Sequence, residues 1–338
     1  MKILIATATF ILFASISQAA DAPKTNSEMK KVITELEKKG GKPIAELTAE
    51  EARQQPTPAD AVKSLMSERD NKKSQEGFAK IEDRQITGAQ GQIPARIYTP
   101  KGKSPMPVIV FYHGGGWVIG SKDVYDGSAR AIAKQAKAIV VSVDYRLAPE
   151  HKFPAAHEDS FAAYKWVVDN AKSIGGNPDK IAVAGESAGG NLALNVAIMA
   201  RDGKIKMPVH ALVVYPVASS AMNTESYEIN KDAKPLNKPM MSWFMKNYLN
   251  TMDEAKDTRI NLVAANFKGL PETTIITAQI DPLQTEGKEL ADRMKEQGVK
   301  VNFKNYNGVT HEFFGMAAVV DEAAAAQKFA ASELKQSF

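Results

Sequence analysis

Cysteine is absent from this 338-residue chain. Its absence excludes disulfides, thiolate metal sites and a thiol nucleophile. Histidine is scarce at five residues, so each candidate base can be weighed by name. There is no large excess of one charge: 43 basic against 39 acidic residues leave a formal net charge of +4. The lysines are scattered rather than massed, which argues against a nucleic-acid partner. Long apolar runs are also missing. The run at residues 3–16 falls short of the ~20 residues that a bilayer span needs, so no stable membrane anchor is expected.

That short run has another use. Lys2 precedes it, and Ser17-Gln18-Ala19 places small residues where a signal peptidase reads. Residues 1–19 are therefore expected to be a cleavable secretory signal. The mature chain would begin near Ala20 and be periplasmic or secreted. An apolar content of 44% with 24% charged residues is enough to build a globular core.

Residues 20–77 are polar and read as helical. Met29, Val32, Ile33 and Leu36 recur at helical spacing. Thr48 with Glu51 three residues on has the form of a capping box. From residue 78 the texture changes. Eight strands are expected at 78–87, 92–98, 108–112, 138–143, 180–184, 209–214, 273–278 and 300–306. Most are unbroken apolar runs, as suits parallel strands covered on both faces. Helices are expected between them at 128–137, 155–170, 188–200 and 286–297, with a last one at 321–335. The alternation implies a mostly parallel sheet with helices on both faces. Residues 218–265 interrupt it with a helical pattern in which Met240, Met241, Phe244, Met245 and Tyr248 recur every three or four positions.

The sharpest local signal is Gly185-Glu186-Ser187-Ala188-Gly189, set between an expected strand and an expected helix. Such a turn lifts a serine clear of the sheet and leaves no room for side chains at its glycines. A serine hydroxyl needs a base, and the base needs a carboxylate to orient it. Asp281 follows the seventh strand and His311 the eighth. Loops leaving the carboxyl ends of parallel strands share one edge, so Ser187, Asp281 and His311 can converge there. His113-Gly114-Gly115-Gly116-Trp117 follows the third strand. Its glycines allow backbone amides of Gly114, Gly115 and Gly116 to join that of Ala188 around a developing oxyanion. No Gly-Lys-Ser/Thr follows, which weakens a phosphate-loop alternative. His113 is expected to orient the glycine loop rather than act as base. Trp117, Met241, Phe244 and Met245 are expected to border the substrate.

With these residues in place, the chain resembles the hormone-sensitive-lipase group of α/β-hydrolases, the bacterial family IV carboxylesterases. The glycine motif at 113–117, the segment Asp144-Tyr145-Arg146-Leu147-Ala148-Pro149-Glu150 with Phe153-Pro154, and the serine turn at 185–190 carry the resemblance. Glu186 departs from an aspartate common in the group, and Glu312, beside the base, from a glycine. The resemblance implies an eight-stranded α/β-hydrolase fold at 78–217 and 266–338, with cap segments at 20–77 and 218–265. It implies hydrolysis of short- to medium-chain acyl esters through an acyl-enzyme, on a small-molecule ester and without a cofactor. Some members form homodimers through an edge strand, and the sequence leaves that open. The same machinery serves amidases, peptidases and transacylases, and a receptor could retain the fold as a ligand-binding pseudoenzyme.

Overall fold

The computed structural model describes residues 23–67 and 76–338. The expected export signal lies outside the described residues. Eight strands form one sheet: β1 (Phe78–Thr87), β2 (Gln92–Pro100), β3 (Met106–Tyr112), β4 (Ile139–Val143), β5 (Gly176–Glu186), β6 (Ala211–Val214), β7 (Thr273–Ile280) and β8 (Val301–Thr310). Their spatial order is β1-β2-β4-β3-β5-β6-β7-β8. The β1–β2 and β2–β4 pairings are antiparallel and all the others parallel.

All eight expected strands are present; the first keeps its expected bounds and the other seven have moved ends. The fifth starts earlier than expected and runs to Glu186, directly into the serine turn. The eighth continues to Thr310, so His311 follows it without an intervening loop.

Side chains alternate across the central strands. Val108, Val110 and Tyr112 enter one apolar layer, while Ile109 and Phe111 enter the other. Burying each such residue contributes about 1.5–3 kcal/mol, and both layers are needed to hold a sheet that water cannot reach. Helices α5 (Ala155–Asn170), α6 (Ala188–Asp202) and α9 (Gln284–Glu296) close the first layer. Helices α4 (Asp126–Ala136) and α10 (Asp321–Ser337) close the second.

Among the described residues, three helices precede the sheet: α1 (Ser27–Lys38), α2 (Ala49–Arg53) and α3 (Pro58–Leu65). Local chemistry sets their starts. Asn26 Oδ1 accepts from the Met29 amide at 2.8 Å. Thr48 with Glu51 and Thr57 with Asp60 each make both halves of a capping box. Each cap stabilises its helix by about 1 kcal/mol. Arg53 fastens α2 to the body, donating to Val118 O at 2.9 Å, to Ala148 O at 2.7 Å and to both oxygens of Glu150. Between β6 and β7 lie α7 (Glu225–Ile229) and α8 (Lys238–Tyr248).

Candidate active site

Strands β3, β5, β6, β7 and β8 run parallel, so their carboxyl ends share one edge of the sheet. Ser187 stands there, between β5 and α6, at φ 57° and ψ −120°. That region is sparsely populated by residues with a Cβ, and the surrounding backbone must enforce it. Ser187 N donates to Val214 O at 2.9 Å, and Ser187 O accepts from the amides of Asn191 and Val217. The flanking glycines are sterically required. A Cβ on Gly185 would lie 2.0 Å from Gly189 O, and one on Gly189 would lie 2.0 Å from Tyr112 O.

His311 joins Ser187 to Asp281. Its Nδ1 lies 2.6 Å from Asp281 Oδ2, and its Nε2 lies 2.9 Å from Ser187 Oγ. A carboxylate accepts, so Nδ1 carries the proton and Nε2 is left to receive the hydroxyl hydrogen. Asp281 is held in turn by the Leu283 amide, which donates to Oδ1 at 2.9 Å. All three side chains are buried. Burial works against a charged imidazole. The charge and hydrogen bond of Asp281, joined by the charges of Glu312 and Glu186, outweigh it and hold the His311 pKa above its ordinary value.

The glycine loop leaves β3 beside this group. Gly115 and Gly116 adopt φ 101° and 58°. Gly115 O accepts from the amides of Val118 and Ile119, which ties the loop back on itself. His113 Nδ1 donates to Gly114 O at 2.7 Å, and the Tyr145 ring stacks on His113 at 4.3 Å. The amides of Gly115, Gly116 and Ala188 make no hydrogen bond among the described residues. Ala188 opens α6, where a helix has no internal acceptor for its first amides. Free donors thus stand beside Ser187.

Gly115, Gly116, Ser187, Phe244 and His311 line one cavity of about 500 Å³. Its other walls come from α1, residues 41–46, α2 and residues 234–240. The structure corrects four expectations here. Gly114 does not line the cavity: it sits behind it, its Cα against the Tyr125 hydroxyl. Trp117 is fully buried and stacks on Tyr248 at 4.5 Å, away from the cavity. Met241 and Met245 face the core from α8. Helical spacing identifies a buried stripe, and here the stripe mostly packs on the body. Only its margin, Met240 and Phe244, reaches the cavity.

Sequence reasoning passed over Arg53 and Leu236, which also line the cavity. No motif marks them, because they arrive from segments brought together only by folding.

Residues 109–315 match the family described as having the alpha/beta hydrolase fold. The chain belongs to this family. The expected kinship with the hormone-sensitive-lipase group is borne out. The chain is 40% identical over 264 residues to carboxylesterase NlhH of Mycobacterium tuberculosis, covering 76% of this chain and 82% of that protein. It is 36% identical over 229 residues to an arylesterase of Saccharolobus solfataricus, covering 66% and 74% respectively. Among solved structures, the esterase of Pyrobaculum calidifontis superposes with a TM-score of 0.75 at 38% identity, covering 81% of this chain and 93% of that one. The eight-stranded, mostly parallel architecture expected from the sequence is the one this α/β-hydrolase adopts.

Proposed function

We propose that this protein is a serine carboxylesterase that hydrolyses short- to medium-chain acyl esters of small molecules through an acyl-enzyme. Its relatives are carboxylesterases and arylesterases, and the chain is a carboxylic ester hydrolase of their family. Ser187 Oγ attacks the ester carbonyl carbon while His311 Nε2 takes its proton. The carbonyl oxygen becomes an oxyanion and accepts hydrogen bonds from the amides of Gly115, Gly116 and Ala188. Removing one such donor typically costs ~3–4 kcal/mol of transition-state stabilisation. Collapse expels the alcohol, which takes its proton from His311. Water then attacks the acyl-enzyme, with His311 again the base, and releases the carboxylic acid and Ser187. Asp281 keeps the imidazole in one tautomer and stabilises its charged form.

One observation carries this proposal: a hydroxyl 2.9 Å from an imidazole that is 2.6 Å from a buried carboxylate, beside free amides in a cavity of small-molecule size. The N-terminal helices and residues 218–265 act as a cap whose inner face limits acyl length. A p-nitrophenyl ester series from acetate to palmitate tests both parts. Turnover is expected to peak at short to medium chains and to fall by several orders of magnitude in Ser187→Ala. Unchanged turnover in that variant, or a preference for palmitate, would contradict the proposal. A matched anilide series measures how far amides are accepted.

Export through residues 1–19 is part of the same proposal. N-terminal sequencing of protein recovered from the periplasm or medium should begin near Ala20.

A further inference from the structure

Glu312 follows the base directly, and its backbone is strained. It lies at φ 70° and ψ 2°, the left-handed region that suits glycine. A side chain is retained there at a cost of about 1 kcal/mol, which directs attention to what that side chain holds.

Its Oε1 accepts from the Tyr125 hydroxyl at 2.5 Å. The same hydroxyl is packed against the glycine loop, where a Cβ added to Gly114 would fall 2.3 Å from it. One phenol therefore touches the loop that presents the oxyanion donors and bonds to the residue beside the base. Tyr125 and Glu312 also form part of the wall between two cavities. They line the cavity at Ser187 and a second of about 740 Å³ bounded by α3 and α4. Tyr125 is otherwise packed in the second apolar layer, and the hydrogen bond ties Glu312 to it.

We propose that Tyr125 and Glu312 form a clamp that holds the His311 segment and the glycine loop at one spacing, making both of them positioning residues for ester hydrolysis. The inference rests on the esterase proposal above. The groups facing the Glu312 carboxylate are His311, Asp281, Tyr125 and Tyr215, with Glu186 from the serine turn close by. Across the second cavity stand Lys63 of α3, Arg96 of β2, and Asp126, Arg130 and Lys134 of α4. Arg96 pairs with Asp83 and Asp123, and Arg130 with Asp126. Among the groups that raise the His311 pKa, Glu312 follows Asp281, and burial opposes both.

The test compares Tyr125→Phe, Glu312→Gly, Glu312→Gln and the double variant Tyr125→Phe/Glu312→Gly on p-nitrophenyl butyrate, with melting temperatures recorded alongside. Tyr125→Phe and Glu312→Gly should each lower kcat about tenfold with KM within about twofold, because misplaced donors and base weaken the transition state. The double variant should lose no more than the larger single loss, as members of one linkage do. Glu312→Gly relieves the backbone, so its melting temperature should stay level or rise while its activity falls. Glu312→Gln keeps an acceptor and should recover kcat to within about threefold of the parent. Burial raises the Glu312 pKa, and where its carboxylate is ionised it favours the charged His311 ring, so Glu312→Gln should also move the acid limb of kcat/KM to lower pH. Unchanged kcat in Tyr125→Phe, single losses that multiply in the double variant, or a fall in kcat explained by unfolding would overturn the clamp. Labelling of Ser187 by a fluorophosphonate in the parent separates this failure from failure of the esterase proposal.

Discussion

Asp281, His311 and Ser187 work only as a line of hydrogen bonds, and pH acts on its middle member. Because Asp281 raises the His311 pKa, the imidazole stays protonated to a higher pH than a free histidine, ~6.5. A protonated ring cannot accept from Ser187. Activity should therefore fall as pH drops through a midpoint above ~6.5 in the kcat/KM profile, and Asp281→Asn should abolish that raised midpoint along with most turnover. Glu186 behaves differently. Burial pushes its carboxyl up to about 7, opposed by the nearby Ser128 hydroxyl and by the hydrogen bond from Tyr215. Tyr215 donates to its Oε2, while Oε1 is buried without a partner within bonding geometry. Between the ordinary carboxylate pKa of ~4.3 and about 7, the unfolded chain ionises Glu186 and the folded one does not. Stability is lost as pH rises through that window. Glu186→Gln does not titrate, so its melting temperature should gain on the parent between pH 5 and 7 and then level off. A gap that stays constant with pH would contradict this.

Elements carry these residues to their places, and the serine turn shows the tightest tolerance. Gly189→Ala would drive a Cβ into backbone oxygens of Tyr112 and His113. No side chain can rotate away there, so the variant is expected to lose soluble, active protein altogether, as expression with circular dichroism would show. On α8, the Phe244 ring lies against Gly116. Phe244→Ala should cost about 3 kcal/mol of stability by chemical denaturation and raise kcat/KM for octanoate relative to butyrate esters. The strands and long helices were legible in the sequence because each repeats one simple pattern. Unbroken apolar runs such as 108–111 marked buried strands, and Ser187, Asp281 and His311 were locatable because strand ends in a parallel sheet share an edge. The lining of the cavity was not legible. Trp117, Met241 and Met245 looked like substrate contacts, yet an apolar stripe reports burial without saying whether a protein core or a ligand lies opposite. Ends of elements also moved, since β5 is extended by pairing with β3 and β6 rather than by its own propensity.

At the scale of the whole molecule, the sheet supplies a rigid edge and the remaining segments enclose it. Helix α2 is tied to the body by Arg53, whose partners Val118 and Ala148 belong to loops behind the glycine motif, and by its buried Ala49 and Ala52. The bond to Glu150 is half-exposed, so its own contribution to stability is small. Its effect should instead appear in substrate binding. Arg53→Ala is expected to raise KM several-fold for medium-chain esters with kcat changed little. A change in kcat alone would count against the cap. Everything here depends on Ser187 being the activated nucleophile, and covalent capture tests that most directly. Intact and peptide mass spectrometry after fluorophosphonate treatment at neutral pH should find one adduct, on Ser187. Labelling should slow by orders of magnitude in His311→Ala. An adduct on another residue, or equal labelling rates with and without His311, would contradict the account.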